Sequence, residues 1–190
     1  MDADGLVLAC ATRAELRAAR GAGARAALVG LGARNGVPEG PLVSFGLAGA
    51  LRDDLPVGTV LDATRVVDAD GAVLWSGDGL GIGEPATVLA ADSIVDDAEE
   101  RRRLHERSGA DAADLESGPL ARSGRLRGVV RAVSDTPERP LDGIVGAVTP
   151  AGELSWSGLA RAFARSPRRF MRSASDARHA LARLERSWVE

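Results

Sequence analysis

The stretch that decides the fold is Gly109–Asp135, which reads GADAADLESGPLARSGRLRGVVRAVSD. Two acidic residues in it, Glu116 and Asp135, each follow a short apolar run that predicts a buried strand. The segment 117–126 between the two strands predicts a helix, with Pro119 tolerated in its first turn. Ligands of open α/β sheets bind outside the carboxyl ends of the strands. If a right-handed crossover joins these two strands, both carboxylates face one crevice.

Each of the two acids also has a simpler explanation. Acidic residues at strand ends often cap the following helix or meet water. The pair at this spacing favours a shared site over either residue taken singly. Spacing alone, however, does not identify a reaction.

Length and composition limit the classes of protein and site. A chain of 190 residues suits one α/β domain with a sizeable core. All 24 basic residues are Arg, a bias that is typical of GC-rich coding and indicates no chemistry by itself. Cys10 is the single cysteine, which excludes an internal disulfide and a cysteine-based zinc site. The two histidines, His105 and His179, lie in arginine-rich helical stretches, so we expect no metal site.

The amino-terminal apolar run bears on the compartment. Leu6–Ala11 is far too short to span a membrane. It follows two acidic residues, Asp2 and Asp4, which carry the wrong sign for a signal peptide. We therefore expect a cytoplasmic protein.

The first third of the chain predicts strands with short connections. Thr12 and Glu15 form a capping-box pattern, and from sequence alone capping is the favoured role of Glu15. The connection 33–40 has no helical period and is short for a parallel crossover. The small residues 46–51 follow an apolar strand and allow either close approach of a ligand or a tight turn. The predicted strands here are 5–11, 26–32 and 41–45.

The middle of the chain predicts a hairpin, a loop and a helix. The hairpin covers 66–74 with Asp-Gly at its corner. The glycine-rich segment 77–85 does not open a helix, which excludes a dinucleotide loop and favours a mobile surface loop near the site. Asp97 caps a helix over 98–108, and the many charges of that helix predict an exposed face. The predicted strands here are 59–67 and 87–95.

The carboxyl-terminal part predicts two helices separated at Pro167. Eight arginines lie within Leu154–Glu190, so this part is basic while the rest of the chain is acidic. Most apolar stripes on helices pack against a core, and we favour that interpretation here. The alternative is a basic amphipathic surface that contacts anionic membrane. The predicted organisation is an α/β domain over 1–150 and a helical tail over 151–190 that packs on it or extends it.

Three segments resemble, in order and spacing, the signature segments of the purine nucleoside phosphorylase and nucleosidase superfamily. They are Val43–Leu51, Ala113–Ser117 and Val130–Asp135, and Leu6–Ala19 resembles the first strand and helix. Within the superfamily the chain is most similar to the hopanoid-associated phosphorylases, which share the Asp-x-Glu-Ser motif and an arginine-rich tail containing Trp. The resemblance implies a three-layer α/β/α fold with a mostly parallel mixed sheet.

The resemblance also implies a reaction, which is cleavage of the N-glycosidic bond of a purine nucleoside. The expected substrate is a 5′-modified adenosine such as adenosylhopane, with phosphate or water as acceptor. The alternatives are a methylthioadenosine or adenosylhomocysteine nucleosidase and a degenerate protein that binds nucleosides without cleaving them. We expect no metal or other cofactor, with phosphate as a candidate co-substrate, and no nucleic-acid partner. Because relatives complete their sites across subunit contacts, we also expect a homo-oligomer.

The resemblance assigns roles to individual residues. Asp135 protonates purine N7, which requires burial to raise its pKa. Glu116 binds the ribose hydroxyls, and Glu15 activates water in the hydrolytic branch. Leu115 stands where the family usually has Met, under the sugar. The full substrate-binding set is Glu116, Leu115, Ser134, Ala48, Gly49 and Gly46.

The sequence departs from the family pattern in three ways. The segment 33–40 replaces a helix of the relatives. Leu47 offers no hydroxyl where nucleosidases often have Ser. No arginine phosphate clamp of the classical phosphorylase type is evident, which keeps hydrolysis open.

Overall fold

The structure is a computed structural model that describes residues 5–141, 149–153 and 155–189, without the side chain of Trp156. The strands are β1 (Val7–Cys10), β2 (Ala26–Leu28), β3 (Leu42–Ala50), β4 (Val60–Val67), β5 (Val73–Ser76), β6 (Glu84–Ala90), β7 (Ala112–Asp114) and β8 (Leu126–Asp135). The helices are α1 (Arg13–Gly21), α2 (Ala98–Ser108), α3 (Ser117–Arg122), α4 (Trp156–Arg165) and α5 (Pro167–Val189), with a 3-10 turn at Leu31–Ala33.

The eight strands form one mixed sheet with helices packed around it, so the expected α/β class is confirmed. The order is β2-β1-β3-β7-β6-β4-β5, and β8 pairs with both β3 and β4. Five of these strands, β3, β7, β6, β4 and β8, therefore close into a ring. Closure removes the free edges of these strands, which explains why their apolar residues are buried on both faces.

The two strands that deliver the acidic pair are not related as predicted. β8 runs parallel to β3, whereas β7 runs antiparallel to it, so no right-handed parallel crossover joins β7 to β8. Because β7 runs back along β3, Glu116 lies opposite the middle of β8 and Asp135 lies at its end. The two acids still line one cleft.

β3 is longer than predicted, because the small residues that follow Phe45 continue the strand to Ala50. The alternative prediction of a tight turn at 46–51 is therefore wrong. Near its end the pairing with β8 shifts, so that Ala48 pairs with Val133 and Gly49 pairs with Asp135. Ser134 is the extra residue of this irregularity. Such bulges re-aim side chains beside functional sites.

The glycine-rich loop before β6 is anchored to the sheet. Asp62 Oδ2 accepts hydrogen bonds from the backbone N–H groups of Leu80, Gly81 and Ile82 at 2.6, 2.6 and 3.2 Å. No residue of 77–85 lines the cleft in the part of the chain that the structure describes. The expectation of a mobile loop near the site is therefore wrong.

Helix α5 packs on the body of the protein, which confirms the favoured interpretation of the tail. Ala180 and Leu184 are fully buried in a core cluster with residues of β1, β3 and β8. Trp188 meets Phe45 of β3 edge-on, with ring centroids 5.7 Å apart. Within the described ranges, no helix combines the length and the apolar character that a membrane crossing requires.

Candidate functional site

One cleft of about 1190 Å³ collects most of the residues that the sequence singled out. Its wall comes from β3, the segment after β6, the ends of β7 and β8, and faces of α1 and α5. Seven of the eight predicted site residues line it, namely Glu15, Ala48, Gly49, Leu115, Glu116, Ser134 and Asp135. The eighth, Gly46, lies behind Glu15.

Glu15 both caps α1 and faces the cleft. Its Oε2 accepts the Thr12 backbone N–H at 2.7 Å and the Thr12 hydroxyl at 3.0 Å, which completes the predicted capping box. Its Oε1 accepts the backbone N–H of Leu47 at 2.8 Å. Burial raises the pKa of this carboxyl, and the Arg131 guanidinium acts in the opposite direction. Capping and a functional role are therefore compatible in one side chain.

A fully buried arginine on β8, Arg131, organises the carboxylates around Glu15. Its Nε donates to Asp114 Oδ2 at 2.5 Å, and its Nη2 donates to Ser44 Oγ at 2.5 Å. The same Nη2 lies 3.7 Å from Glu116 Oε2. One guanidinium thus fixes two acidic side chains relative to the strand that carries it. Its charge offsets part of the cost of burying them.

Glu116 is held by backbone as well as by charge. Its Oε1 accepts the N–H of Gly32 at 3.0 Å, from the 3-10 turn at Leu31–Ala33. The pKa of Glu116 is raised to about 8, chiefly by burial; Arg131 opposes this shift, and the nearby Asp114 and Glu15 add to it. Such a raised pKa in a cleft is typical of functional carboxyls.

The glycine at position 46 leaves room for two polar atoms to approach each other. A Cβ at Gly46 would overlap Glu15 Oε1 and lie 2.7 Å from Arg131 Nη1. Among the described residues, Arg131 Nη1 is buried without a hydrogen-bond partner. Buried polar groups are almost always satisfied, so this N–H points to a water or ligand as its partner. The lone pair of Glu15 Oε1 that Leu47 leaves free lies beside it.

Asp135 lines the same cleft and is the last residue of β8. Its Oδ1 accepts the Ser134 hydroxyl at 2.6 Å, and its Oδ2 forms an ion pair with Arg101 Nη2. Burial raises the pKa of the Asp135 carboxyl, while the Arg101 guanidinium and the Ser134 hydroxyl oppose that shift. The side chains of both members of the ion pair are almost completely buried.

Arg101 is the residue that the sequence analysis missed, because its helix was expected to be a solvated face. The structure shows five of the eleven α2 residues exposed but Arg101 fully buried. Its spacing gives a usable signal, since Arg101 lies three residues before Leu104 and so shares the apolar face. Arg131 carries a clearer signal, because it interrupts the apolar run of β8, where a charge requires a partner.

One part of the cleft wall is apolar and comes from α1, α4 and α5. Leu16 of α1 and Leu159 of α4 line it, together with Phe170, Met171, Ala174 and Leu181 of α5. Met171 is half exposed, which places it at the rim. This wall can accept a hydrocarbon group that extends from a ligand held between Glu15 and Asp135.

The described residues offer neither a metal centre nor a reactive thiol. No group of three His, Cys, Asp or Glu side chains among them is arranged to hold a metal ion. Cys10 is fully buried, and burial raises the pKa of its thiol. A buried neutral thiol of this kind is a poor nucleophile.

Comparison with solved structures identifies the fold. The chain superposes on the Helicobacter pylori 5′-methylthioadenosine/S-adenosyl homocysteine nucleosidase with a TM-score of 0.58 and 15% identity, covering 97% of both chains. Futalosine hydrolase of Helicobacter pylori matches with a TM-score of 0.58, 14% identity and coverage of 97% and 96%. A putative 5′-methylthioadenosine/S-adenosylhomocysteine nucleosidase from Francisella philomiragia matches with a TM-score of 0.59 and 15% identity, covering 96% of this chain and 95% of the other.

Comparison of sequences adds nothing to this result, since no family model and no curated protein matches the chain. At 14–15% identity, the superpositions establish architecture alone. The chain has the mixed α/β fold of these nucleosidases, and its carboxyl-terminal helix contributes to the core.

Proposed function

We propose that this protein is an enzyme that hydrolyses the N-glycosidic bond of a purine nucleoside. The observation that carries the proposal is that Glu15, Glu116 and Asp135 line a single cleft. The fully buried Arg131 lies beside Glu116. The solved structures with this fold include nucleosidases that act on such compounds, which supports the same reaction class here.

The Glu15 end can activate water. Glu15 lines the cleft, so a water molecule in the cleft can donate a hydrogen bond to its carboxylate. Burial raises the proton affinity of Glu15, which suits a general base. In this arrangement the water oxygen attacks the sugar C1′ and its proton goes to Glu15.

Glu116 suits the ribose. Glu116 lines the cleft and is held by Gly32 and Arg131. In this position it can accept hydrogen bonds from sugar hydroxyls. Those bonds strengthen as the ring gains positive charge on the way to an oxocarbenium-like transition state. Leu115 supplies an apolar surface next to it in the same wall.

Water fits the nucleophile position better than phosphate does. Arg131 is surrounded by Glu15, Asp114 and Glu116, and its hydrogen bonds go to Asp114 and Ser44. A phosphate dianion placed there would meet three acidic side chains and one guanidinium that is already engaged. In a buried site of intermediate dielectric constant, Coulomb repulsion between a phosphate and a neighbouring carboxylate amounts to several kcal/mol.

The length and apolar character of the cleft favour a 5′-modified adenosine as substrate. A volume of about 1190 Å³ exceeds what a nucleoside fills, and the surplus lies against α4 and α5. The finer proposal, supported by the sequence resemblance, is release of adenine from adenosylhopane. The alternative substrate is 5′-methylthioadenosine, and the rival from another class is a protein that binds nucleosides without cleaving them.

The decisive experiment measures adenine release from adenosylhopane and from 5′-methylthioadenosine, each with and without phosphate. We expect release that is independent of phosphate and faster with the lipid-linked substrate. Release from methylthioadenosine alone would reject the lipid-linked substrate and retain the nucleosidase. No release in any arm, with nucleoside binding still measurable by calorimetry, would establish the non-catalytic binding protein.

The basic tail supports a further proposal, contact with an anionic membrane surface. Phe163 on α4 is about half exposed and stacks edge-on against Phe170, beside exposed arginines such as Arg168. Because α5 belongs to the core, point variants rather than tail deletion must test this. We expect Phe163→Glu with Arg168→Glu to abolish co-sedimentation with phosphatidylglycerol vesicles; unchanged sedimentation would reject the contact.

We also propose a homo-oligomer, on the resemblance alone. Relatives complete their sites across subunit contacts, and the cleft here is open on one side. Sedimentation velocity at micromolar concentration should show a species at least twice the monomer mass; a monomer that cleaves nucleoside at full rate would reject the proposal.

A further inference from the structure

The ion pair between Arg101 and Asp135 has a chemical consequence for the part of the cleft where we expect the purine base to bind. Arg101 comes from α2 and is fully buried, with Nε donating to Val95 O at 2.9 Å and Nη1 donating to Ala50 O at 3.2 Å. Its Nη2 pairs with Asp135 Oδ2. Backbone carbonyls thus fix the guanidinium in one orientation in the cleft wall, which both Arg101 and Asp135 line.

Charge balance sets the protonation state of this pair. A guanidinium stays protonated at any working pH. A neutral Asp135 would leave that cation buried without a counter-charge, which is costly. Burial raises the pKa of the Asp135 carboxyl, but the guanidinium beside it favours the carboxylate form. Asp135 in this ionised state has no proton to give.

Both charged groups point to one small volume. A Cβ at Gly49 would lie 2.8 Å from Asp135 Oδ2 and 3.2 Å from Arg101 Nη1, so the missing side chain keeps this volume open. Of the five N–H groups of Arg101, hydrogen bonds between described residues use three. A flat ligand edge placed over Gly49 would meet an N–H donor and an anionic acceptor side by side.

We propose that Arg101 is a catalytic residue of this site, donating an N–H to N7 of a departing 6-aminopurine while ionised Asp135 accepts from its 6-amino group. The inference rests on the proposed function. A 6-aminopurine presents an acceptor, N7, next to a donor, the amino group, whereas a 6-oxopurine presents two acceptors. The carboxylate–guanidinium pair matches the first edge and repels the carbonyl of the second.

The bond changes balance without an acid at Asp135. The C1′–N9 bond breaks, and its electron pair leaves with the purine, whose negative charge spreads onto N7 opposite Arg101. Water supplies the hydroxyl group to C1′ and its proton to Glu15. That proton returns to the released purine through solvent, so the products are the free base and the sugar. Fixed donors aimed at developing charge are among the strongest catalytic devices.

The test compares Arg101→Met, Asp135→Asn and a control, Arg102→Met, in adenine release from a 6-aminopurine nucleoside. Arg102 is the exposed neighbour on the same helix, paired at the surface with Asp53. We expect Arg101→Met to lower kcat by about 10²–10³-fold, as for loss of one fixed donor. Asp135→Asn should lose only about tenfold, since the Asn carbonyl can still accept from the amino group.

If Asp135 is instead a general acid, the order reverses. Asp135→Asn would abolish release, and Arg101→Met would retain it, because removing the guanidinium raises the proton affinity of Asp135. That result would overturn the assignment of Arg101.

A binding measurement separates this inference from the proposed function and does not depend on turnover. Calorimetry with free adenine and free hypoxanthine should show wild type preferring adenine by about 10²-fold, with the preference lost in Arg101→Met. If wild type prefers adenine but shows no turnover, the proposed enzymatic activity is rejected, while the Arg101–Asp135 pair is retained as the group that recognises the edge of the base. Equal binding of both bases, or binding of neither, would overturn the inference.

Discussion

The backbone N–H of Leu47 in β3 donates to Glu15 Oε1 at 2.8 Å, which ties the first turn of α1 to the strand that passes beneath the cleft. The same carboxylate accepts from Thr12 through its other oxygen. Glu15 is therefore oriented by two separate segments of backbone before any ligand binds. A base held in this way loses little freedom when the reaction begins.

Replacing Glu15 by Gln should lower kcat by about 10²–10⁴-fold, the range typical of a lost general base. The amide keeps the volume and can still accept from Leu47, so substrate binding should change little. Steady-state kinetics would check this, with Glu106→Gln on the exposed face of α2 as the matched control. A kcat within about threefold of wild type would remove Glu15 from the mechanism.

Glu116 should make stability depend on pH. Its pKa is raised to about 8 in the folded protein, above the ordinary value of 4.5, so the folded state binds the extra proton between these values. The free energy of unfolding should therefore fall as pH rises from about 5 to 8, by at most about 1.4 kcal/mol per pH unit. Urea unfolding across this range would show the slope.

Glu116→Gln is the variant that isolates this pH effect, because a Gln side chain does not titrate and can still accept from Gly32. Its unfolding free energy should be flatter over the same range than that of wild type. An identical slope in both proteins would show that another group carries the pH dependence.

Removing Arg131 should destabilise the fold more than removing a partner that carries no charge. Arg131→Met leaves Asp114 and Glu116 buried without their cation, at a cost of about 3–5 kcal/mol. Ser44→Ala removes one neutral partner and should cost about 1 kcal/mol.

Arg127→Met on the exposed part of the same strand is the control for Arg131→Met and should stay within about 0.5 kcal/mol of wild type. Chemical denaturation at pH 7 gives all the values. Similar losses for Arg131→Met and Arg127→Met would contradict the buried network.

The tail should behave as part of the core. Leu184 is fully buried against the sheet, so Leu184→Ala should cost about 2–5 kcal/mol. Val189, which is 67% exposed near the end of the same helix, provides the control, and Val189→Ala should change stability by less than about 0.5 kcal/mol. A Leu184→Ala protein with an unchanged denaturation midpoint would show that α5 packs elsewhere in solution.

Shortening the apolar end of the cleft should separate long from short substrates. Ala174→Trp places an indole where the 5′ substituent of a lipid-linked nucleoside would lie. We expect kcat/KM for that substrate to fall by about tenfold or more, and kcat/KM for 5′-methylthioadenosine to change little.

Ala182→Trp, at an exposed position of the same helix, controls for the added indole and should affect neither substrate. Equal losses on both substrates in Ala174→Trp would indicate that α5 lies closer to the sugar than the proposal requires.

The sequence by itself determined most of the elements and the identity of the acidic residues. Apolar runs placed the strands, the Thr12 and Glu15 pattern began α1, and Gly109 ended α2 in the left-handed conformation that glycine adopts readily. These features depend on neighbours within a few positions along the chain. Local chemistry is sufficient to predict them.

Only the tertiary structure decided how those residues meet. The sequence predicted parallel strands before Glu116 and Asp135, yet β7 runs antiparallel, because closing the ring with β3 and β6 satisfies its backbone groups on both sides. Strand direction depends on partners distant in the chain, which no local pattern records.

The buried residues Arg101 and Arg131 show that local sequence patterns also fail to predict which charged side chains meet at the site. Three arginines follow one another in α2, and packing against Val95 and Ala50 selects Arg101 for the interior. A guanidinium is buried only where the fold gathers enough acceptors and a counter-charge around it. Those groups come from different segments of the chain, so no local pattern shows which arginines are buried. The carboxylates could be found in the sequence, but the cations that pair with them were identified only in the folded chain.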